Sequence, residues 1–221
     1  LSANQRITVR ALARDTLVLV AAVLTAPLWL LAWAEAALTG GEGVFKTCSE
    51  FLSLFPGKLG IFLRRGFYGM ALESFATDCS LGYGTLLAHP QVRIGRGVYV
   101  GDRCTLGQVE IGDDVAIGSN VDILSGRRQH YFVRLDVPIL EQGGAFERVH
   151  IGRNAWIGNS SVVMADIGDD CIIGAGSVVV HPIPARSIAA GNPATVKRQR
   201  EPAPVELAAN GVGYTAAGVD E

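Results

Sequence analysis

Through the second half of the chain, aliphatic residues followed by glycine recur about every six positions. The pairs are Leu81-Gly82, Ile94-Gly95, Val100-Gly101, Leu106-Gly107, Ile111-Gly112, Ile117-Gly118, Ile151-Gly152, Ile157-Gly158, Ile167-Gly168 and Ile173-Gly174. Six is the period of the hexapeptide β-helix, in which three hexads make one triangular coil of about 18 residues. Each hexad then supplies one short strand whose aliphatic residue points inward, and the glycine sits where a Cβ would crowd the turning backbone. Polar pairs such as Asp113-Asp114, Ser119-Asn120 and Asp169-Asp170 have the chemistry of turns. The beat slips between Leu87 and Ile94, Leu106 and Ile111, and Val163 and Ile167, which predicts bulged or shortened corners. Between Ile123 and Ile151 it vanishes. Residues 125–149 are therefore expected to leave the coils as a loop, the part of a solenoid that often carries function.

The N-terminal third has a different pattern. Residues Leu17 to Ala34 carry no charge, which is just long enough for a membrane-spanning helix. Arg6, Arg10 and Arg14 precede it, Trp29 and Trp33 suit an interface, and Pro27 is expected to break or kink the helix. A second stretch, Phe51 to Leu72, mixes Lys58, Arg64 and Arg65 with apolar residues. It reads as an amphipathic helix in the headgroup layer, its cations facing anionic lipid. A membrane anchor is the preferred reading of this third. A signal peptide cleaved near Ala32-Trp33-Ala34 and a soluble helical cap are the alternatives. A segment that dips into the membrane and returns keeps the β-helix at the cytoplasmic face, in bacteria that of the inner membrane. The expected organisation is a membrane-associated helical region over 1–75, a β-helix over 76–197 with its excursion at 125–149, and an irregular tail over 198–221.

A net charge of −2 gives no reason to expect nucleic acid. Four cysteines without C-x-x-C spacing point to a reducing compartment, with Cys104 and Cys171 as small buried residues within the coils. The candidate chemistry lies on the excursion. The imidazole of His130 is a side chain that can accept a hydroxyl proton as general base. Arg127 and Arg128 beside it could grip a phosphate or sugar-phosphate acceptor, and Asp136 or Glu141 could orient the imidazole. His89, His150 and His181 read as ordinary histidines. The four histidines are widely spaced and form no pair four or five apart, which argues against a zinc site.

The segments RVHIGRNAWIGNSSVVM (148–164), IIGAGSVVVHPIPARSIAAGNPA (172–194) and VAIGSNVDIL (115–124) leading to His130 resemble the hexapeptide-repeat acyltransferases. That superfamily includes serine, galactoside, maltose and antibiotic acetyltransferases. The resemblance runs from about Leu81 to Lys197 and implies a mainly β fold, a left-handed parallel β-helix assembled as a homotrimer. It implies active sites between subunits, acetyl-CoA or another acyl-CoA as cosubstrate, no metal, and His130 as base. It places Trp156, Gly158, Ala175, Gly176, Ser177, Gly191, Asn192 and Pro193 along the CoA path, with Lys197 and Arg198 near the CoA phosphates. Two positions depart from the family pattern, Tyr131 where proline often follows the histidine and Thr195 where a basic residue often closes the last motif. With its N-terminal third included, the chain resembles membrane-associated acyltransferases of bacterial exopolysaccharide and cell-surface glycan pathways. The implied reaction is O-acyl transfer to a sugar or lipid-linked glycan hydroxyl. An N-acetyltransferase acting on an amino sugar, a fatty acyl donor, a zinc carbonic-anhydrase-like protein and a non-catalytic scaffold are the rival expectations.

Overall fold

The computed structural model describes residues 3–201, with side chains from Leu12 onward. The expected extension beyond residue 201 lies outside the described residues. Three helices come first: α1 (Ala3–Thr39), α2 (Gly43–Ser53) and α3 (Gly57–Ala71). Sixteen short strands follow, of which the first fifteen wind into a left-handed parallel β-helix of about six turns.

The coils have three faces. Face A holds β1 (Ser74–Phe75), β4 (Arg93–Ile94), β7 (Val109–Ile111) and β10 (Val149–Ile151), continued by single bridges at Ile167 and Ile183. Face B holds β2 (Ser80–Leu81), β5 (Tyr99–Val100), β8 (Ala116–Ile117), β11 (Trp156–Ile157), β13 (Ile172–Ile173) and β15 (Ser187–Ala190). Face C holds β3 (Leu86–Leu87), β6 (Thr105–Leu106), β9 (Asp122–Ile123), β12 (Val162–Val163) and β14 (Val178–Val179). In-register pairing stacks like on like. On face B, Leu81, Val100, Ile117, Ile157, Ile173 and Ala189 form one inward column. On face C the column is Leu87, Leu106, Ile123, Val163 and Val179. The aliphatic residues of the six-residue beat are thus the buried core. Its four-residue slip, Val163 to Ile167, is the corner where face A shrinks to a single bridge.

Corner side chains tie the coils together. Asp102 Oδ1 accepts the Tyr83 N–H at 2.8 Å, Ser119 Oγ the Asp102 N–H at 3.1 Å, and Asn159 Oδ1 the Ser119 N–H at 3.1 Å. The glycines beside them permit this closeness. A Cβ on Gly158 would stand 2.5 Å from the Ala175 nitrogen in the next coil.

The helices differ from the sequence expectation in three ways. First, α1 runs through Pro27 unbroken, because packing continues on both sides of it, at buried Thr25 and Ala32. The buried positions Val18, Ala21, Thr25 and Ala32 recur at helical spacing and form one stripe. Second, the stretch 51–72 is not one helix. It belongs to α2 and α3, which cover the open end of the first coil. Gly84 donates to Ser53 O at 2.9 Å and Leu87 N–H to Ser49 Oγ at 3.0 Å. Ser49 Oγ also meets the hydroxyl of Tyr68 at 2.8 Å, and burial pushes the Tyr68 phenol up to about 12.

Third, Arg64 and Arg65 do not face lipid. The Arg64 guanidinium is fully buried and donates to Leu52 O at 2.8 Å, Phe55 O at 3.0 Å and Leu81 O at 3.0 and 3.1 Å. Desolvation pulls its pKa down. Arg65 donates to Cys79 O and Asp78 O. Backbone carbonyls at the C-terminal end of α2, which carry the negative end of the helix dipole, and carbonyls of the first coil attract these cations. Of the three cations, Lys58 alone is exposed.

Boundaries shift slightly. The first coil starts at Ser74, not residue 76. The described structure also continues past 197, as β16 (Thr195–Gln199) turns back antiparallel to β15.

Helix α3 crosses α1 at Gly66, where a Cβ would lie 2.5 Å from Ala21 C and Ala22 N. Gly66→Val is expected to destabilise the detergent-solubilised protein by about 1–3 kcal/mol through overpacking. Thermal unfolding checks this, and an unchanged midpoint would contradict the crossing.

Candidate functional site

The excursion leaves the coils after β9 and returns at β10, at the corner between faces C and A. It is a hairpin with bonded limbs. Ala145 N–H donates to Arg128 O at 2.7 Å and Tyr131 N–H to Gly143 O at 2.9 Å, bracketing His130. Gly144 permits the crossing, since a Cβ there would stand 1.8 Å from Gln129 O. The His130 side chain is exposed at this crossing.

Neither carboxylate expected to orient His130 is bonded to it. Asp136 is bound through both oxygens by Arg134, which holds its carboxyl below the usual range. Glu141 lies exposed in the short 3-10 turn Ile139–Glu141, with no side-chain hydrogen bond among the described residues. The structure therefore shows neither carboxylate orienting the imidazole; Arg134, two residues away, outcompetes it for Asp136. Arg128 pairs with Glu147 on the returning limb, and Arg127 is exposed.

The residues expected along a CoA path gather on another edge, the corner between faces B and C. Gly158 follows β11, Ala175 and Gly176 follow β13, and Gly191, Asn192 and Pro193 follow β15 with a cis Asn192–Pro193 bond. This last run takes the place of a face C strand, because Val178 N–H donates to Gly191 O at 2.9 Å and Ala194 N–H to Val178 O at 2.8 Å. The ladder of corner side chains stops here: Ala175 has no polar group to receive the Asn159 N–H. The exposed Asn159 and Ala175 corners therefore offer amide donors to a ligand lying along the coils. Trp156 stands on face B, 56% exposed, beside this edge. Lys197 and Arg198 are exposed on β16, with Lys197 Nζ bonded to Thr195 Oγ1 at 2.9 Å.

Ser177 does not join this edge. It is fully buried, and its hydroxyl donates to Gly174 O and accepts the Gly191 N–H at 3.2 Å. Ser161 one coil earlier plays the same interior role, donating to Gly158 O at 2.8 Å.

Between the two edges lies a pocket of about 380 Å³ on face C. Thr105, Asp122 and Val162 form its floor, Ser125 and Gln129 of the outgoing limb one wall, and His89 another. Sequence reading passed over His89. Its Nδ1 meets Glu42 Oε2 at 2.8 Å, and its ring packs edge-on against Phe146 of the returning limb, with centroids 5.5 Å apart. His150, by contrast, lies on face A near Asp166, at 3.5 Å.

The fold and its repeats define the class, a hexapeptide-repeat β-helix. Residues 148–181 match the model of the bacterial transferase hexapeptide (six repeats), and residues 91–125 that of the hexapeptide repeat of succinyl-transferase. Among particular proteins, the chain is 36% identical to a galactoside O-acetyltransferase of Escherichia coli K12 over 115 residues. That match covers 49% of this chain and 54% of the relative, so the chain spans about half the length of the curated relative. A solved maltose O-acetyltransferase from Clostridium difficile 630 superposes with a TM-score of 0.63 at 24% identity, over 72% of this chain and 86% of the other. A galactoside acetyltransferase solved with coenzyme A gives 0.57 at 23% identity, over 72% and 80%. The two structures establish likeness of fold.

Proposed function

We propose that the protein is an acyl-CoA-dependent O-acyltransferase, using acetyl-CoA, that acylates a hydroxyl of a sugar or glycan. The observation that carries this reading is the pocket on face C, whose lining includes Gln129, the chain neighbour of His130, on the face whose other edge carries the amide donors of Asn159 and Ala175. The galactoside O-acetyltransferase relative and the CoA-bound structure of the same fold support it.

In this reaction the His130 imidazole takes the proton of the acceptor hydroxyl as its oxygen attacks the thioester carbonyl. The new C–O bond forms, and the tetrahedral intermediate is stabilised by a backbone N–H. Collapse breaks the C–S bond, and the CoA sulfur leaves with the proton held by His130. No water or oxidant is consumed.

The donor edge and His130 stand on opposite sides of face C, up to about 20 Å apart for a six-residue side. A neighbouring copy whose excursion reaches this edge closes that gap, which supports a homotrimer with shared sites. The excursion tip favours the same arrangement: Phe132, Val133, Leu135 and Leu140 are exposed, and a neighbouring copy would cover them. On α1, Leu17, Leu19, Val20, Val23, Leu24, Leu30 and Leu31 are exposed in the stretch long and apolar enough to cross a membrane, Leu12–Thr39. We place this face in the bilayer, with the β-helix at the cytoplasmic side, where acetyl-CoA is available and a membrane-bound glycan is concentrated.

Incubation with acetyl-CoA and a panel of galactosides, glucosides and amino sugars tests the reaction. Ester formation with release of CoA thiol supports it. Amide formation would favour an N-acetyltransferase, and no CoA release with any acceptor would sink the reading. The His89–Glu42 pair should act on the acceptor alone. Glu42→Gln is expected to raise the acceptor KM about tenfold, the scale of one charge-assisted hydrogen bond, and to leave acetyl-CoA affinity unchanged by calorimetry. An equal loss of CoA binding would place the pair elsewhere.

A further inference from the structure

We propose that the acceptor carries an apolar aglycone, and that this part binds in a groove between α1 and the first coils. The inference rests on the acyl-transfer reading and narrows its substrate class. The groove measures about 330 Å³, within the range of small-molecule sites. Trp29, Trp33, Phe45 and Met70 line its apolar part, and Glu42 and Gln91 its polar end. Trp29, Ala32, Trp33 and Ala36 of α1 line it at helical spacing, as one stripe. The stripe is distinct from the face of α1 that carries Leu19, Val20, Val23 and Leu24.

The groove and the pocket on face C are lined by consecutive residues of one segment. The segment 88–91 runs from one into the other: Ala88 and His89 line the pocket, Pro90 and Gln91 the groove. One carboxylate spans the junction, with Glu42 Oε2 on His89 Nδ1 at 2.8 Å and Glu42 Oε1 accepting from Gln91 Nε2 at 2.7 Å. Gln91 Oε1 is buried and has no donor among the described residues. A ligand with its sugar beside His130 and its chain running over the junction thus meets polar groups at one end and aromatic rings at the other. That is the chemistry of an amphipathic glycoside. A bilayer lipid resting on α1 would instead lie along the Leu19–Leu24 face.

The test uses the full chain in lipid nanodiscs and a galactoside bearing a benzophenone on its aglycone. Photolabelling is expected at Trp29, Phe45 or Met70, competed by octyl β-galactoside and weakly by methyl β-galactoside. It should be lost in Ala36→Trp, which fills the groove. Labels confined to Leu19–Leu24, or unchanged in Ala36→Trp, overturn the proposal. Trp33→Ala, at an exposed position that folding tolerates, should also weaken labelling. In turnover, octyl β-galactoside should exceed methyl β-galactoside at least tenfold in kcat/KM, and Ala36→Trp should bring that ratio close to one. Equal turnover of both by the unaltered chain overturns the aglycone site and leaves acyl transfer standing. Groove labelling without turnover of either galactoside does the reverse.

Discussion

Replacing His130 by alanine is expected to lower acetyl transfer about 10²–10⁴-fold, the usual contribution of a general base, while acetyl-CoA binds as before. The two effects separate because they belong to different edges of the prism. His130 sits on the hairpin after β9, and the amide donors follow β11 and β13. Removing the imidazole leaves the acceptor hydroxyl with its proton but disturbs no corner of the coils. Limbs bonded through Arg128–Ala145 and Tyr131–Gly143 use backbone atoms alone, so the hairpin should persist. Single-turnover transfer from labelled acetyl-CoA, paired with calorimetry of CoA binding, measures both. Full activity in His130→Ala would remove the residue from the mechanism, and lost CoA binding would mean that it shapes the donor site instead.

Arg64→Met should cost on the order of 3–5 kcal/mol, the scale of a buried polar network losing one partner. Methionine fills much the same space but donates nothing. Leu52 O, Phe55 O and Leu81 O would then lose the donors that join α2, α3 and the first coil. Water cannot replace them without opening the cap. We expect a lower unfolding midpoint and hydrogen exchange rising first in α2, α3 and β2, with the coils beyond β10 protected longer. This order follows from stacking, since each coil is stabilised chiefly by its neighbours. A uniform loss of protection would show that cap and coils unfold as one unit.

The solenoid was legible because its signal is repetitive: each inward aliphatic residue repeats the vote of the last. The same phase already contains the fate of Ser177. It falls where Cys104 and Val121 fall in earlier hexads, directly before a strand, and all three are buried. The motif suggested a ligand contact there, and the period was the better guide. The helical cap was not legible. Arg64 and Arg65 among apolar residues have the composition of a lipid-facing helix, and nothing local reveals that their partners are carbonyls of Leu52, Phe55, Asp78, Cys79 and Leu81. The Glu42–His89 contact joins residues 47 apart, with no pattern to connect them. On the excursion, residue types suggested that Asp136 could serve His130. Its neighbour Arg134 holds it instead, a competition that only geometry decides.

The turn-back at β16 bears on how the molecule behaves in a crowd. A parallel solenoid whose last coil were bare would offer its strand edges to any similar coil, and chains could add end to end without limit. Here β16 occupies the last strand of face B in antiparallel sense, and its own outer edge carries Lys197 and Arg198. At the other end α2 and α3 hold the first coil shut. Within the described residues the β-helix is covered at its first coil and, on face B, turned back at its last, while its three faces stay open to company along the sides.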